Sequence, residues 1–326
     1  MVTRKTLGKT SLEVSTVGLG TAHIGLPPDL VYQQHVLTPS AKLLRPEVAT
    51  ATVIAAMKNG CSLIDTAPRY CNTASELAIG NAIRQWPNLA RRTTITTKIG
   101  CKYPGDGFDH SYEAARSSLL ESMERLGMSR FDVVYIHDPM GHSMEEIFNG
   151  TLRAMQEFQS RGIIKHIGVA INDPEVAADY IETGKFEVAT VSGAWSLLNQ
   201  TALKRIIPLA RDLKVGLVVT TALERGILAT GYIANRKYPE RKFSPECKSH
   251  IRKIQTLCED WNIPLGAAAL QWCTKIPEVS SVIPGACSPE EAIQNLKWGS
   301  LYIPEEFWVQ LKPLIKHFDI YQNPME

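Results

Sequence analysis

The sequence predicts an α/β protein closed into an eight-stranded (β/α)8 TIM barrel, and three observations carry that expectation. Short apolar β-prone runs recur near positions 17, 62, 94, 133, 165, 188, 217 and 280. Helical patterns separate the successive runs, which suits parallel strands, since a parallel crossover needs a dozen or more residues. Three of the runs end in a polar residue: Cys61-Ser-Leu-Ile-Asp65, Thr93-Thr-Ile-Thr-Thr-Lys98 and Asp132-Val-Val-Tyr-Ile-His137. Eight units favour closure of one parallel sheet, read as one domain over residues 1–326. A doubly wound sheet is the alternative. Against it, Gly18-Leu-Gly20 lacks the GxGxxG form followed promptly by a helix.

Each element has a local reason. Residues 5–19 hold two β-prone pieces joined at Gly8-Lys9-Thr10, a hairpin expected to plug the N-terminal face of the barrel. Residues 23–45, broken by Gly25, Pro27, Pro28 and Pro39, read as a binding loop or a mobile segment. Pro46 opens a helix that Gly60 ends. Thr73-x-x-Glu76 has the form of a capping box for a helix to about Trp86. Ser111 can cap a helix carrying Leu119, Leu120, Met123 and Leu126 on one stripe, with Gly127 as its stop. Helices are expected at 144–160, from Asp173-Pro174-Glu175, and at 202–212, 246–262, 265–275, 289–297 and 304–317. Residues 224–245 read as irregular.

Composition narrows the function. Lys and Arg total 35 against 33 Asp and Glu, so global charge gives no argument for nucleic acid or an anionic membrane. A basic run, Arg236, Lys237, Arg241, Lys242, Lys248, Arg252 and Lys253, reads as a solvated face or as a neighbour of a cofactor phosphate. Seven cysteines form no CxxC pair, the N-terminus lacks an apolar leader, and no window approaches a membrane span. A cytoplasmic protein is expected. Cys247-x-x-His250 has ligand-like spacing without a second pair, so no metal site is expected.

If the strands are parallel neighbours, Asp65, Tyr70, Lys98 and His137 converge at one rim. Taken singly, each has a bland reading: a loop cap, a pocket-wall aromatic, a strand-end solubiliser, a satisfied core histidine. Together they form a proton-handling set. Tyr70 can donate a proton to a carbonyl oxygen or take one from an alcohol. Lys98 is expected to lower the phenol toward phenolate, Asp65 to hold Lys98, and a neutral His137 to orient the substrate oxygen. Such a set polarises a C–O bond while an external redox cofactor moves the hydride.

These residues lie within a wider resemblance. The chain resembles the aldo-keto reductase superfamily over nearly its whole length. The likeness runs from Leu7-Gly8-Lys9-Thr10-Ser11-Leu12-x-Val14-Ser15-x-Val17-Gly18-Leu19-Gly20 to Pro284-Gly285-Ala286. Asp65, Tyr70, Lys98 and His137 fall on that family's catalytic tetrad. Ile136-His137-Asp138, Gly168-Val-Ala-Ile-Asn172 and Gly193-Ala-Trp195-Ser-Leu-Leu-Asn-Gln200 are most similar to its aldose, galactose and pyridoxal dehydrogenase branch. The resemblance implies an NAD or NADP cofactor contacted by Asn172, Ser192, Thr220, Thr221, Pro284, Gly285, Ala286, Glu291 and Asn295. Gly285 and Glu291 stand where relatives that take the 2′-phosphorylated cofactor place basic residues, which favours NAD. The family's stacking tyrosine after strand seven is missing, with Thr220 or Thr221 in that neighbourhood, so either Trp195 contributes the aromatic surface or the nicotinamide is packed differently; Trp195 and His137 are expected on the substrate wall.

The implied activity is oxidation of an aldose at C1 to its lactone. The alternatives are reduction of a non-sugar aldehyde or ketone, and a non-catalytic cofactor-sensing barrel. The implied partner is a small carbonyl or sugar substrate, with no nucleic acid and no membrane. The sequence leaves the oligomeric state open.

Overall fold

The computed structural model describes residues 2–27, 30, 44–102, 107–234, 236–238 and 241–321. Most of the expected 23–45 loop lies outside the described residues. The N-terminal hairpin pairs β1 (Arg4–Thr6) with β2 (Glu13–Ser15) antiparallel. Eight parallel strands follow: β3 (Leu19–Gly20), β4 (Leu63–Asp65), β5 (Thr94–Ile99), β6 (Phe131–His137), β7 (Ile164–Ala170), β8 (Val188–Val191), β9 (Gly216–Val219) and β10 (Val279–Val282). They lie in sequence order. Parallel bridges Val17–Val282 and Gly20–Gly285 join the first strand to the last and close the barrel.

The barrel is filled by period-two alternation. Leu63, Val133, Tyr135, Ala170, Val188 and Val218 point inward and pack with Leu7, Leu12 and Val14 of the hairpin, which stoppers the N-terminal end. Ile64, Ile95, Val134, Ile136, Val169, Ala189 and Leu217 point outward to the helical layer. Two close approaches demand glycine. A Cβ on Gly168 would lie 2.6 Å from the Tyr135 ring, and one on Gly8, at φ +55°, would strike the Gly216 backbone at 2.1 Å.

The longer helices among the described residues are α1 (Pro46–Lys58), α2 (Ala74–Gln85), α3 (Tyr112–Leu126), α4 (Arg153–Ser160), α5 (Pro174–Glu182), α6 (Ile206–Leu213), α7 (Pro245–Asp260), α8 (Leu265–Cys273), α9 (Pro289–Ser300) and α10 (Glu305–Leu311). Local chemistry starts five of these ten. Ser111 accepts from Ala114 N–H, Asp173 from Glu175 and Val176 N–H, and Pro46, Pro174, Pro245 and Pro289 open α1, α5, α7 and α9.

Three expectations need correction. Thr73 makes no capping box: it sits at φ +68° without a side-chain cap, and Glu76 turns inward to accept from Thr97 and Arg125. The expected 144–160 helix is interrupted by a π turn at Phe148–Leu152, where Gly150 approaches the backbone of His110. The expected 304–317 helix stops at Leu311, one 3₁₀ turn follows through Pro313, and the chain continues without helix to Tyr321. Its ring lands on Gly193, after β8.

Candidate active site

Alternation along the strands brings the polar set together. On β4, Leu63 and then Asp65 face inward; on β6, Val133 and Tyr135 are followed by His137; on β5, Lys98 is paired with Tyr135. The inward residue nearest the C-terminal end of each strand is therefore ionisable. Asp65, Lys98 and His137 are all buried.

The Lys98 ammonium donates to Asp65 Oδ2 at 2.5 Å and to Thr66 O at 2.9 Å, while Thr96 Oγ1 donates to Asp65 Oδ1 at 2.8 Å. Asp65 thus uses both oxygens to fix the lysine. Burial opposes the charge on Lys98, but the Asp65 carboxylate outweighs it and raises the lysine pKa above its usual value.

Tyr70 is placed by the turn after β4. Its N–H donates to Ala67 O, and the next residues, Cys71, Asn72 and Thr73, adopt φ of +50°, +56° and +68°. Three non-glycine residues in succession in the left-handed region cost on the order of 1 kcal/mol each. That conformation is held because Cys71 Sγ reaches the carbonyls of Ala22 and Ile24 and Thr73 N–H donates to Pro68 O. The phenol ring stands 4.5 Å from Lys98 Nζ and edge-on to His137 at 6.0 Å between centroids.

Burial pushes the Tyr70 phenol up to about 12, outweighing the downward pull that Lys98 exerts as expected. The geometry therefore maintains a proton donor rather than a phenolate. His137 lies well below the usual histidine range, first through burial and then through the Lys98 and Arg69 charges, so it is neutral near pH 7.

The sequence reading missed a residue that touches the imidazole. Cys101 Sγ lies 3.0 Å from His137 Nδ1. Burial raises the thiol to about 12, so it stays protonated, and either atom of the pair can be the donor. A thiol that donates to Nδ1 leaves the imidazole proton on Nε2. Arg69 and Phe108 were missed too. The guanidinium stands 5.4 Å over the Phe108 ring, and Phe108 meets His137 edge-on at 6.4 Å. Their signal was weak: each is one residue in a polar or glycine-rich loop.

The resemblance-derived cofactor residues line the strand ends beside this set. Asn172 follows β7 and donates through N–H and Nδ2 to Asp138, at 2.9 and 2.8 Å, next to His137. Ser192 follows β8, Thr220 N–H donates to Val191 O, and Thr221 Oγ1 accepts from Gly193 N–H at 2.6 Å. After β10, Pro284, Gly285 and Ala286 lead to α9; Asn295 Nδ2 donates to Gly285 O, and Glu291 accepts from Cys287 N–H. A Cβ on Gly285 would meet nothing within 4 Å, so the rim is open there.

A dinucleotide fits this rim on two grounds. The open backbone at Gly285 leaves room beside the start of a twelve-residue helix. The proton donors Tyr70, Lys98 and His137 also lack a hydride source of their own.

Trp195 must be removed from the substrate wall. It is buried, donates from Nε1 to Cys273 O at 3.0 Å, and stacks on Trp272 at 4.5 Å in the outer layer. The basic run also divides: Arg241 is not solvated but paired with Glu224 at 2.8 Å, both side chains buried. Cys247 is buried within α7, and His250 is engaged with Leu314 O.

The aldo/keto reductase family model matches residues 16–316. The chain belongs to the aldo/keto reductase family. Pyridoxal 4-dehydrogenase of Microbacterium luteolum is 28% identical, with 95% of this chain and 96% of that protein covered. D-threo-aldose 1-dehydrogenase of a Pseudomonas species is 25% identical over 92% and 94%. L-galactose dehydrogenase of Arabidopsis thaliana is 28% identical over 90% and 86%. An aldo-keto reductase of Bacillus halodurans, solved in its holo form, shares the fold with a TM-score of 0.77 at 20% identity, covering 98% of this chain and 99% of that one. This aldo/keto reductase is therefore an oxidoreductase of a family that uses nicotinamide cofactors. Among the described residues, no helix is long and apolar enough to cross a membrane.

Proposed function

We propose that this chain interconverts a small hydroxylated carbonyl compound and its alcohol or lactone, oxidising an aldose at C1 as its principal reaction. The observation that carries the reading is the buried Asp65–Lys98 pair beside Tyr70 and the neutral His137. In the oxidative direction His137 Nε2–H orients the substrate oxygen, and Tyr70 accepts its proton when ionised. The Lys98 charge stabilises the phenolate that accepts this proton, and Asp65 keeps that charge in place. When bound, the nicotinamide supplies the hydride acceptor or donor. Asn172, Ser192, Thr220, Thr221, Pro284, Gly285, Ala286, Glu291 and Asn295 would hold it.

Reduction of a non-sugar aldehyde is the second reading, and one observation favours it: Tyr70 is held protonated, as an acid must be. An NADH-specific methylglyoxal reductase of Escherichia coli is also 27% identical to this chain. NAD is preferred over NADP in this proposal, because the Glu291 carboxylate tied to Cys287 N–H puts negative charge beside the Gly285 rim. The seven cysteines, all free and buried, support a cytoplasmic setting. Residues 1–326 form one domain in this reading.

A panel of free aldoses, aliphatic aldehydes and alicyclic ketones, assayed in both directions with each cofactor, tests these assignments. NAD reduction with at least one aldose is expected. Turnover confined to reduction of non-sugar carbonyls would replace the first reading with the second.

A further inference from the structure

The end of β9 carries Thr220 and Thr221 rather than an aromatic residue, yet an aromatic ring reaches that point from the far end of the chain. Beyond Leu314 the backbone is laced to two rim loops. Phe318 N–H donates to Leu198 O at 2.8 Å, Lys242 N–H donates to Ile320 O at 2.9 Å, and Arg241 bridges Tyr321. Arg241 Nη2 donates to the Tyr321 hydroxyl at 2.7 Å, and the guanidinium covers one ring face at 3.7 Å. A chain of buried contacts fixes Arg241 in turn. Its Nε donates to Glu224 Oε2 at 2.8 Å, and Glu224 Oε1 accepts from Ser196 Oγ at 2.6 Å. Glu224 and Arg225 hold φ of +44° and +56°, conformations that persist where surrounding contacts over-determine them.

Gly193 completes the fit. It sits at φ +60°, donates to Thr221 Oγ1, and a Cβ there would fall 1.8 Å from the Tyr321 hydroxyl oxygen. Tyr321 keeps 40% of its surface exposed and lines, with Asn172 and Gly193, a cavity of about 150 Å³. Asn172 connects that cavity to Asp138 and so to His137.

We propose that Tyr321, clamped by Arg241 over the ends of β8 and β9, is the aromatic wall against which this enzyme packs the nicotinamide ring. The inference rests on the hydride-transfer reading above. A ring fixed in advance by its hydroxyl and one face loses little freedom when its free surface receives a flat ligand.

Binding titrations separate this role from a purely structural one. NAD, NADH and ADP-ribose, which lacks the nicotinamide, are titrated by calorimetry into wild-type, Tyr321→Ala and Tyr321→Phe proteins of verified thermal stability. Tyr321→Ala is expected to weaken NAD and NADH on the order of 10-fold, as for loss of one ring-on-base stack. ADP-ribose should change by less than about 2-fold, and Tyr321→Phe should keep most of the affinity, since the ring makes the contact. Equal or tighter NAD binding by Tyr321→Ala would overturn the assignment, as would an equal loss for ADP-ribose. A wild-type protein that binds neither dinucleotide would overturn both this assignment and the redox reading.

Discussion

Cys101 shows what one side chain can settle. Its thiol lies 3.0 Å from His137 Nδ1, and by donating there it would leave the imidazole proton on Nε2. Cys101→Ser offers a hydroxyl donor and should retain activity within a few fold. Cys101→Ala removes the tautomer constraint and should lower kcat by roughly 10-fold with cofactor affinity unchanged, an effect at the low end for groups that orient a general acid–base partner. Equal kcat for the alanine variant and wild type would remove Cys101 from the site. The same scale governs the pH profile. With Tyr70 raised to about 12, the acid form predominates across pH 6–10. Reduction should be flat over that range, and oxidation should rise with pH as more phenolate forms; stopped-flow measurement in both directions checks this. Oxidation that levels off near pH 8 would mean that Lys98 wins over burial after all. The tetrad was legible from residue types at strand ends, because alternation converts sequence position into direction. Cys101 was not legible, because its role depends on a distance across two strands.

At the scale of elements, the strands and half of the helix starts followed from local chemistry: apolar runs, Ser111, Asp173 and the N-terminal prolines each decide a few residues on their own. The failures came where a tertiary partner outbid a local one. Glu76 is in capping-box register, but Thr97 on β5 and Arg125 on α3 offer it a buried site, with Arg125 Nε at 2.6 Å. It therefore braces α2 against the barrel and α3. Glu76→Ala would take the acceptor from Thr97 and the nearest one from Arg125, which keeps Glu121 and Ser122, and should cost about 1–3 kcal/mol in urea unfolding. A loss under about 1 kcal/mol would mark the pair as incidental. The apolar spacing of 304–317 promised a helix, but Pro313 cannot continue one, and the released chain packs Phe318 and Ile320 into the layer beneath α7 and α10. Trp195 was misplaced for a related reason. An aromatic at a strand end reads as a pocket wall until a second indole, Trp272, is known to cover it.

The closed barrel ties these pieces to one equilibrium. It buries two histidines in neutral form: His137 in the site and His110 wedged against Gly100, the latter lowered to about 4 by burial and the nearby His142. An unfolded chain protonates both near pH 6.5, so the unfolded state binds more protons as the pH falls and folding stability drops. The stability present above pH 6.5 should fall by about 1.4 kcal/mol per pH unit for each histidine, or roughly 3 kcal/mol from His110 alone by pH 4. Urea titrations at pH 7, 6 and 5 check the slope, and His110→Asn should flatten it; a pH-independent midpoint would contradict the buried neutral state. Lys98 acts in the opposite sense. Its raised pKa contributes stability below about pH 10.5 that is lost as pH climbs through the folded value. The whole molecule thus holds its proton donors in fixed states across the neutral range, and the central claim is that Tyr70 is the donor. The most direct test is single-turnover hydride transfer by Tyr70→Phe with a verified substrate, alongside cofactor titration. The account predicts unchanged cofactor binding and a loss of about 10²–10⁴-fold in the chemical step; hydride transfer at the wild-type rate would contradict it.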